Sequence, residues 1–170
     1  MTYNSLCGFI TLIVYIATIF PSNIVKIFPK TKKYKLNRLL LQHRRSSGLA
    51  AFFLASNHAV ISLGHYGINL LDLSIYQNYY SGLSIYVIFA LLAITSNNWS
   101  LRKLKRKWKK LHQLTYLAML LLFWHILSAM ENSWSLVTSI SLLLLSVISV
   151  VYAIRLISDF RKNKQKKVEI

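Results

Sequence analysis

The chain has 170 residues, 55% of them hydrophobic, a mean hydropathy of +0.44 and a formal net charge of +17 from 21 Lys and Arg against 4 Asp and Glu. The apolar residues gather in blocks of roughly 15 to 25, the length of a bilayer crossing, and in lipid such blocks must be helices because each backbone amide needs a partner within its own segment. This excludes a soluble domain, and cations clustered at the ends of apolar blocks exclude nucleic acid as the partner.

The first crossing is predicted over 3–20, where Pro21 ends or kinks it. No basic stretch precedes this block, and Phe20-Pro21-Ser22 is not a small-x-small cleavage site, so a cleaved leader is not expected. Cys7, the single cysteine, lies in the same block and reads as an inert buried thiol. Further crossings are predicted over 47–66, 80–96, 111–130 and 135–157, with a basic tail over 158–170. The blocks are evenly spaced, so the expectation is one domain over 1–170. It is an all-α integral membrane protein, a bundle of five transmembrane helices.

The cations orient the bundle. Eight lie between the first and second blocks, seven between the third and fourth, and six after the start of the tail region at Arg155. The other two connections carry only Asp72 and Glu131 as charges. The positive-inside rule then places the N-terminus outside and the C-terminus inside, and five crossings reconcile the two. The KNKQKK run in the tail also suits anionic lipid headgroups. Trp99, Trp108, Trp124, Trp134, Tyr79 and Tyr80 read as interface aromatics.

The five histidines are His43, His58, His65, His112 and His125. An ionisable side chain at membrane depth is costly and by default marks function. His58 lies about 12 residues into the second crossing and His125 about 14 into the fourth, ~18 to 21 Å from the cytoplasmic face at ~1.5 Å per residue. Two imidazoles at one level suit a b-type haem ligated from both sides. The bland reading is a single interhelical hydrogen bond for each.

His112, nearer the cytoplasm, is the candidate for a second haem, with His43 as its partner and Arg44 or Arg45 near its propionates. On an ideal helix, however, His112 and His125 stand about 140° apart. His43 also reads as solvated and His112 as interfacial. His65, seven residues beyond His58 on the same face, borders a propionate or relays outward, if it is not simply interfacial. The chain has no Gly-rich phosphate loop, no zinc spacing and no nucleophile elbow. It has no room for a flavin or nicotinamide domain, so its reductant is another molecule.

Three stretches carry a family resemblance: RRSSGLAAFFLASNH ending at His58, LLAITSNNWSLRKLKRKWKKLH ending at His112, and QLTYLAMLLLFWH ending at His125. Over about residues 10–155 the chain resembles the ferric reductase-like transmembrane superfamily. Within it, the chain is most similar to MsrQ-like haem-binding subunits of bacterial methionine sulfoxide reductase systems. The resemblance implies that His58 and His125 ligate haem b. It also implies that His112 serves a second haem or its edge, with Arg44 or Arg45 nearby. FMN or quinone enters as a further cofactor of the family.

The implied donor is a cytoplasmic flavin reductase or membrane quinol, the acceptor an exterior or periplasmic redox partner, and the location a bacterial inner membrane. Against the family pattern, one N-terminal span is missing. A motif glycine is replaced near Lys105, and His43 and His65 are extra. The leading expectation is a transmembrane electron-transfer protein, an oxidoreductase haem subunit. The alternatives are a direct ferric reductase with an acceptor site near His65 and Asp72, and a haem-free membrane scaffold or assembly factor.

Overall fold

The computed structural model describes residues 3–65, 73–129 and 134–168. In chain order the elements are α1 (Tyr3–Ile27), a 3₁₀ turn (Pro29–Lys33), α2 (Lys35–His65), α3 (Leu73–Ile94), α4 (Asn98–Leu104), α5 (Arg106–Leu111), α6 (Leu114–Ala129) and α7 (Leu136–Val168). Four stretches, 3–27, 35–64, 106–128 and 136–162, are long and apolar enough to cross a membrane. A fifth crossing is added when α3 and α4, bent by 92° at their junction, count as one span. The protein is an all-helical, multi-pass integral membrane protein.

Several helices outrun the apolar blocks. α2 begins twelve residues before the predicted start of its crossing, and α7 continues through the basic tail to Val168. Hydropathy reports the part of a helix that touches lipid, whereas the backbone ladder continues wherever polar residues also favour it. Pro21 does not end α1, which runs on to Ile27. Beside it, Ser22 and Asn23 donate side-chain hydrogen bonds to the Ile19 carbonyl at 2.9 and 3.0 Å. Neighbouring Ser, Asn and helix contacts of this kind let a membrane helix tolerate proline.

The helices close into a ring. α1 packs on α2 and α7, α3 packs on α2 and α6, and α6 packs on α7. The buried core is formed by Leu12, Tyr15 and Ile19 of α1, Phe89 of α3, Met119 of α6 and Leu145 of α7. Tyr15 stacks at 5.2 Å from Phe89, and its hydroxyl donates to the Thr115 carbonyl. The outer surface is apolar instead of charged, with Leu136 84% and Phe53 68% exposed. Such a belt is stable only against lipid.

At the basic end the chain folds back through α4 and α5. Asn97 caps α4 by accepting from the Ser100 amide at 2.7 Å. Arg45 of α2 holds the elbow by donating to the Ser96 carbonyl at 2.5 Å and to Asn98 Oδ1 at 2.8 Å. Lys105, between α4 and α5, has φ 46° and ψ −116°, and among the described residues it is the one non-glycine with positive φ.

Candidate functional site

His58 on α2 and His125 on α6 share one local design. The His58 ring lies against Gly8 of α1, where an added Cβ would come within 3.2 Å of the ring Cε1. The His125 ring lies against Gly82 of α3, where an added Cβ would come within 3.0 Å of Cε1. Glycine inside a helix costs about 1 kcal/mol relative to alanine and is kept where another group must approach the backbone. Both glycines face an imidazole.

The ring nitrogens are sorted by hydrogen bonding. His58 Nδ1 is 3.1 Å from the Asn4 carbonyl, one turn before Gly8. A carbonyl only accepts, so this nitrogen carries the proton and Nε2 keeps its lone pair. His125 Nδ1 is 3.1 Å from Ser81 Oγ, the neighbour of Gly82. Among the described residues, neither ring has a hydrogen-bond partner at Nε2. The two imidazoles are also electrostatic neighbours. Two turns along each helix toward the basic end, Ala51 and Ala118 are fully buried on the corresponding faces.

These features match a planar macrocycle that brings four nitrogens of its own and asks the protein for two. Metal-ligating histidines typically hold Nδ1–H against a carbonyl or hydroxyl and offer Nε2 to the metal. Among the described residues no group of three or more His, Cys, Asp and Glu side chains could hold a bare ion. The rim also holds an orphaned buried acceptor, Asn4 Oδ1, whose amide nitrogen donates to Ser62 Oγ at 2.9 Å. The residues present therefore fit haem.

His112 sits apart, at the basic end. It follows α5 and precedes α6, so the chain between His112 and His125 is not one continuous helix. The 140° offset of an ideal helix therefore does not apply to this pair. Its ring stacks on Trp108 at 3.9 Å, and Nε2 lies 3.4 Å from Thr95 Oγ1. Trp108 in turn donates to the Thr95 carbonyl at 2.9 Å. Arg44 is a charged neighbour of His112, and Arg45 is engaged at Ser96 and Asn98. His43 is exposed on α2. The His65 side chain and Asp72 lie outside the described residues.

One polar cluster has no counterpart in the sequence reading. Arg155 of α7 donates through Nη1 to Asn23 Oδ1 at 2.8 Å and to the Tyr116 hydroxyl at 2.5 Å. Tyr116 and Tyr152 stack at 3.9 Å, 10° from parallel, and Asp159 lies 3.5 Å from Arg155 Nε. Asn23 is fully buried. The cluster ties α1, α6 and α7 together at the basic end. A proline-linked asparagine in an apolar helix was the available signal, and Arg155 was hidden among the topology charges.

Residues 7–123 match the family described as ferric reductase like transmembrane component, a span that contains His58 and His112 and stops just short of His125. The chain is 40% identical over 83 residues to the protein-methionine-sulfoxide reductase heme-binding subunit MsrQ of Brucella anthropi. It is 39% identical over 84 residues to the proteins of that name from Brucella ovis and Brucella canis. Each match covers 46% of this chain and 38% of the relative, so the alignment spans about two-fifths of the relatives' length. No solved structure matches the chain. With more than half of its length inside the family match, the chain belongs to the ferric reductase-like transmembrane component family.

Proposed function

We propose that this chain is a transmembrane electron-transfer subunit that holds haem b between His58 of α2 and His125 of α6. The observation that carries the reading is the repeated design of the two imidazoles. Each is seated on a glycine and hydrogen-bonded at Nδ1, with no partner at Nε2 among the described residues, and the two lie on different helices. The name of the relatives, a haem-binding subunit, supports the same cofactor. When bound, haem b supplies a one-electron Fe(III)/Fe(II) couple.

The chain's own residues do the rest. His58 Nε2 and His125 Nε2 offer their lone pairs. The Asn4 carbonyl accepts from His58 Nδ1–H, and with Nε2 given to the metal the Ser81 hydroxyl would accept from His125 Nδ1–H, which would raise the basicity of each imidazole and fix its tautomer. Gly8 and Gly82 let each ring approach a helix backbone closely. The apolar interior around Tyr15 and Phe89 excludes water, which keeps the local dielectric low. At the basic end His112, held by Trp108 and Thr95 with Arg44 beside it, serves a second haem or its edge.

In this reading the basic end faces the cytoplasm, the N-terminus faces out and the C-terminus faces in. The chain acts as one domain. Electrons come from a cytoplasmic flavin reductase or from quinol and leave to an exterior redox partner, with FMN or quinone as the accessory cofactor at the cytoplasmic side. The test is a reduced-minus-oxidised spectrum of purified protein. Sharp reduced α-bands are expected, lost in both His58→Ala and His125→Ala. A colourless protein after expression with ample haem would instead support a scaffold.

A further inference from the structure

The connection between α1 and α2 forms an open basin of ≈ 650 Å³ lined by Pro29, Lys30, Lys32, Lys33 and Arg38. Its shape is set by the chain itself. Thr31 Oγ1 donates to the Phe28 carbonyl at 2.7 Å, and Asn37 Nδ2 donates to the Thr31 carbonyl at 3.1 Å. Among the described residues the four cations have no counter-ion. Asp159 is the one carboxylate among the described residues, and it is paired with Arg155 at 3.5 Å. Around the same rim Phe28, Tyr34 and Leu36 are 60%, 58% and 66% exposed. Exposed aromatic and aliphatic groups next to lysines, between two membrane-crossing helices, belong at headgroup depth and not in bulk water.

We propose that this basin binds the headgroup of an anionic phospholipid carrying two phosphates. Four cations converging on one basin exceed what a single phosphate neutralises. The apolar rim favours a ligand that arrives with acyl chains over a soluble acidic protein or a free anion. The site is independent of the haem reading, because none of its residues touches His58, His112 or His125.

The experiment uses the full chain in detergent with a fluorescent two-phosphate phospholipid, a one-phosphate phospholipid and a zwitterionic one. The native protein should prefer the two-phosphate lipid by about fivefold over the one-phosphate lipid, the effect of ~1 kcal/mol for one additional cation engaged. Lys30→Gln/Lys32→Gln/Lys33→Gln should remove that preference. Removing the same charge from the tail, by Arg161→Gln/Lys162→Gln/Lys164→Gln, should keep it. Equal loss in both triple variants would overturn the proposal in favour of bulk attraction. So would displacement by pyrophosphate or polyglutamate as effective as by the lipid. A photoactivatable two-phosphate lipid on the native protein keeps the test open if the basin variant misfolds. Label should map to residues 28–39, and label confined to the tail or to α4 and α5 would refute the site.

Discussion

Gly82 stands so close to His125 that a Cβ on it would meet the imidazole Cε1 at 3.0 Å, and Gly8 stands to His58 in the same way at 3.2 Å. These two approaches explain how helices that must cross a bilayer also hold two imidazoles face-on at fixed positions. A methyl group at residue 82 makes the imidazole give by a few tenths of an ångström, because the opposing atoms belong to a stiff ring. Overpacking of this kind costs about 1–3 kcal/mol. Gly82→Ala is expected to lower the haem retained per protein after purification, and Gly8→Ala to do so less. Pyridine-haemochrome quantitation measures both, and unchanged haem content in Gly82→Ala would show that the ring is not constrained there.

The two imidazoles differ in their partners at Nδ1, a backbone carbonyl for His58 and a hydroxyl for His125. Only the second is removable by substitution. Ser81→Ala leaves the His125 Nδ1 hydrogen without its partner, lowers the basicity of that imidazole and so favours the ferrous state. The expected result is a higher midpoint potential together with about tenfold weaker haem affinity. Redox titration and haem transfer to apomyoglobin check the two effects separately.

Lys105 has the backbone conformation of a glycine, φ 46° and ψ −116°, at the elbow between α4 and α5. The family pattern has its motif glycine near this place. A side chain in this region costs of order 1–3 kcal/mol, partly offset by the extra unfolded-state freedom of glycine. Lys105→Gly is expected to stabilise the protein by about 1 kcal/mol in thermal unfolding in detergent. Destabilisation would mean that the lysine side chain makes a compensating contact.

Arg155 is expected to be structural. Its side chain is only 13% exposed and donates to Asn23 and Tyr116, which lie on two other helices. Hydrogen bonds to a charged group contribute about 1.5–3 kcal/mol. Arg155→Met should lower stability by about that amount while leaving the haem spectrum of the folded fraction unchanged. A spectral change without loss of stability would place the cluster at the redox site instead.

Much of this protein is legible from its sequence because lipid imposes simple rules. The apolar blocks gave the helices their places, and the cost of a buried imidazole singled out His58 and His125. Helix ends were not legible, since Lys35–Leu41 and the tail after Ile157 are helical without being apolar. Gly8 and Gly82 were invisible as site residues because a glycine matters through what approaches it, which only the packing of α1 on α2 and α3 on α6 reveals. The 140° angle between His112 and His125 assumes an ideal helix, and the chain makes a turn at His112–Gln113.

The pairing of His58 with His125 is tested most directly by low-temperature electron paramagnetic resonance of the oxidised protein. Native protein should show a low-spin ferric signal of bis-imidazole type, and His58→Ala and His125→Ala should each abolish it or convert it to high spin. A low-spin signal that survives both substitutions, with haem content unchanged, would contradict the assignment of these two residues as ligands.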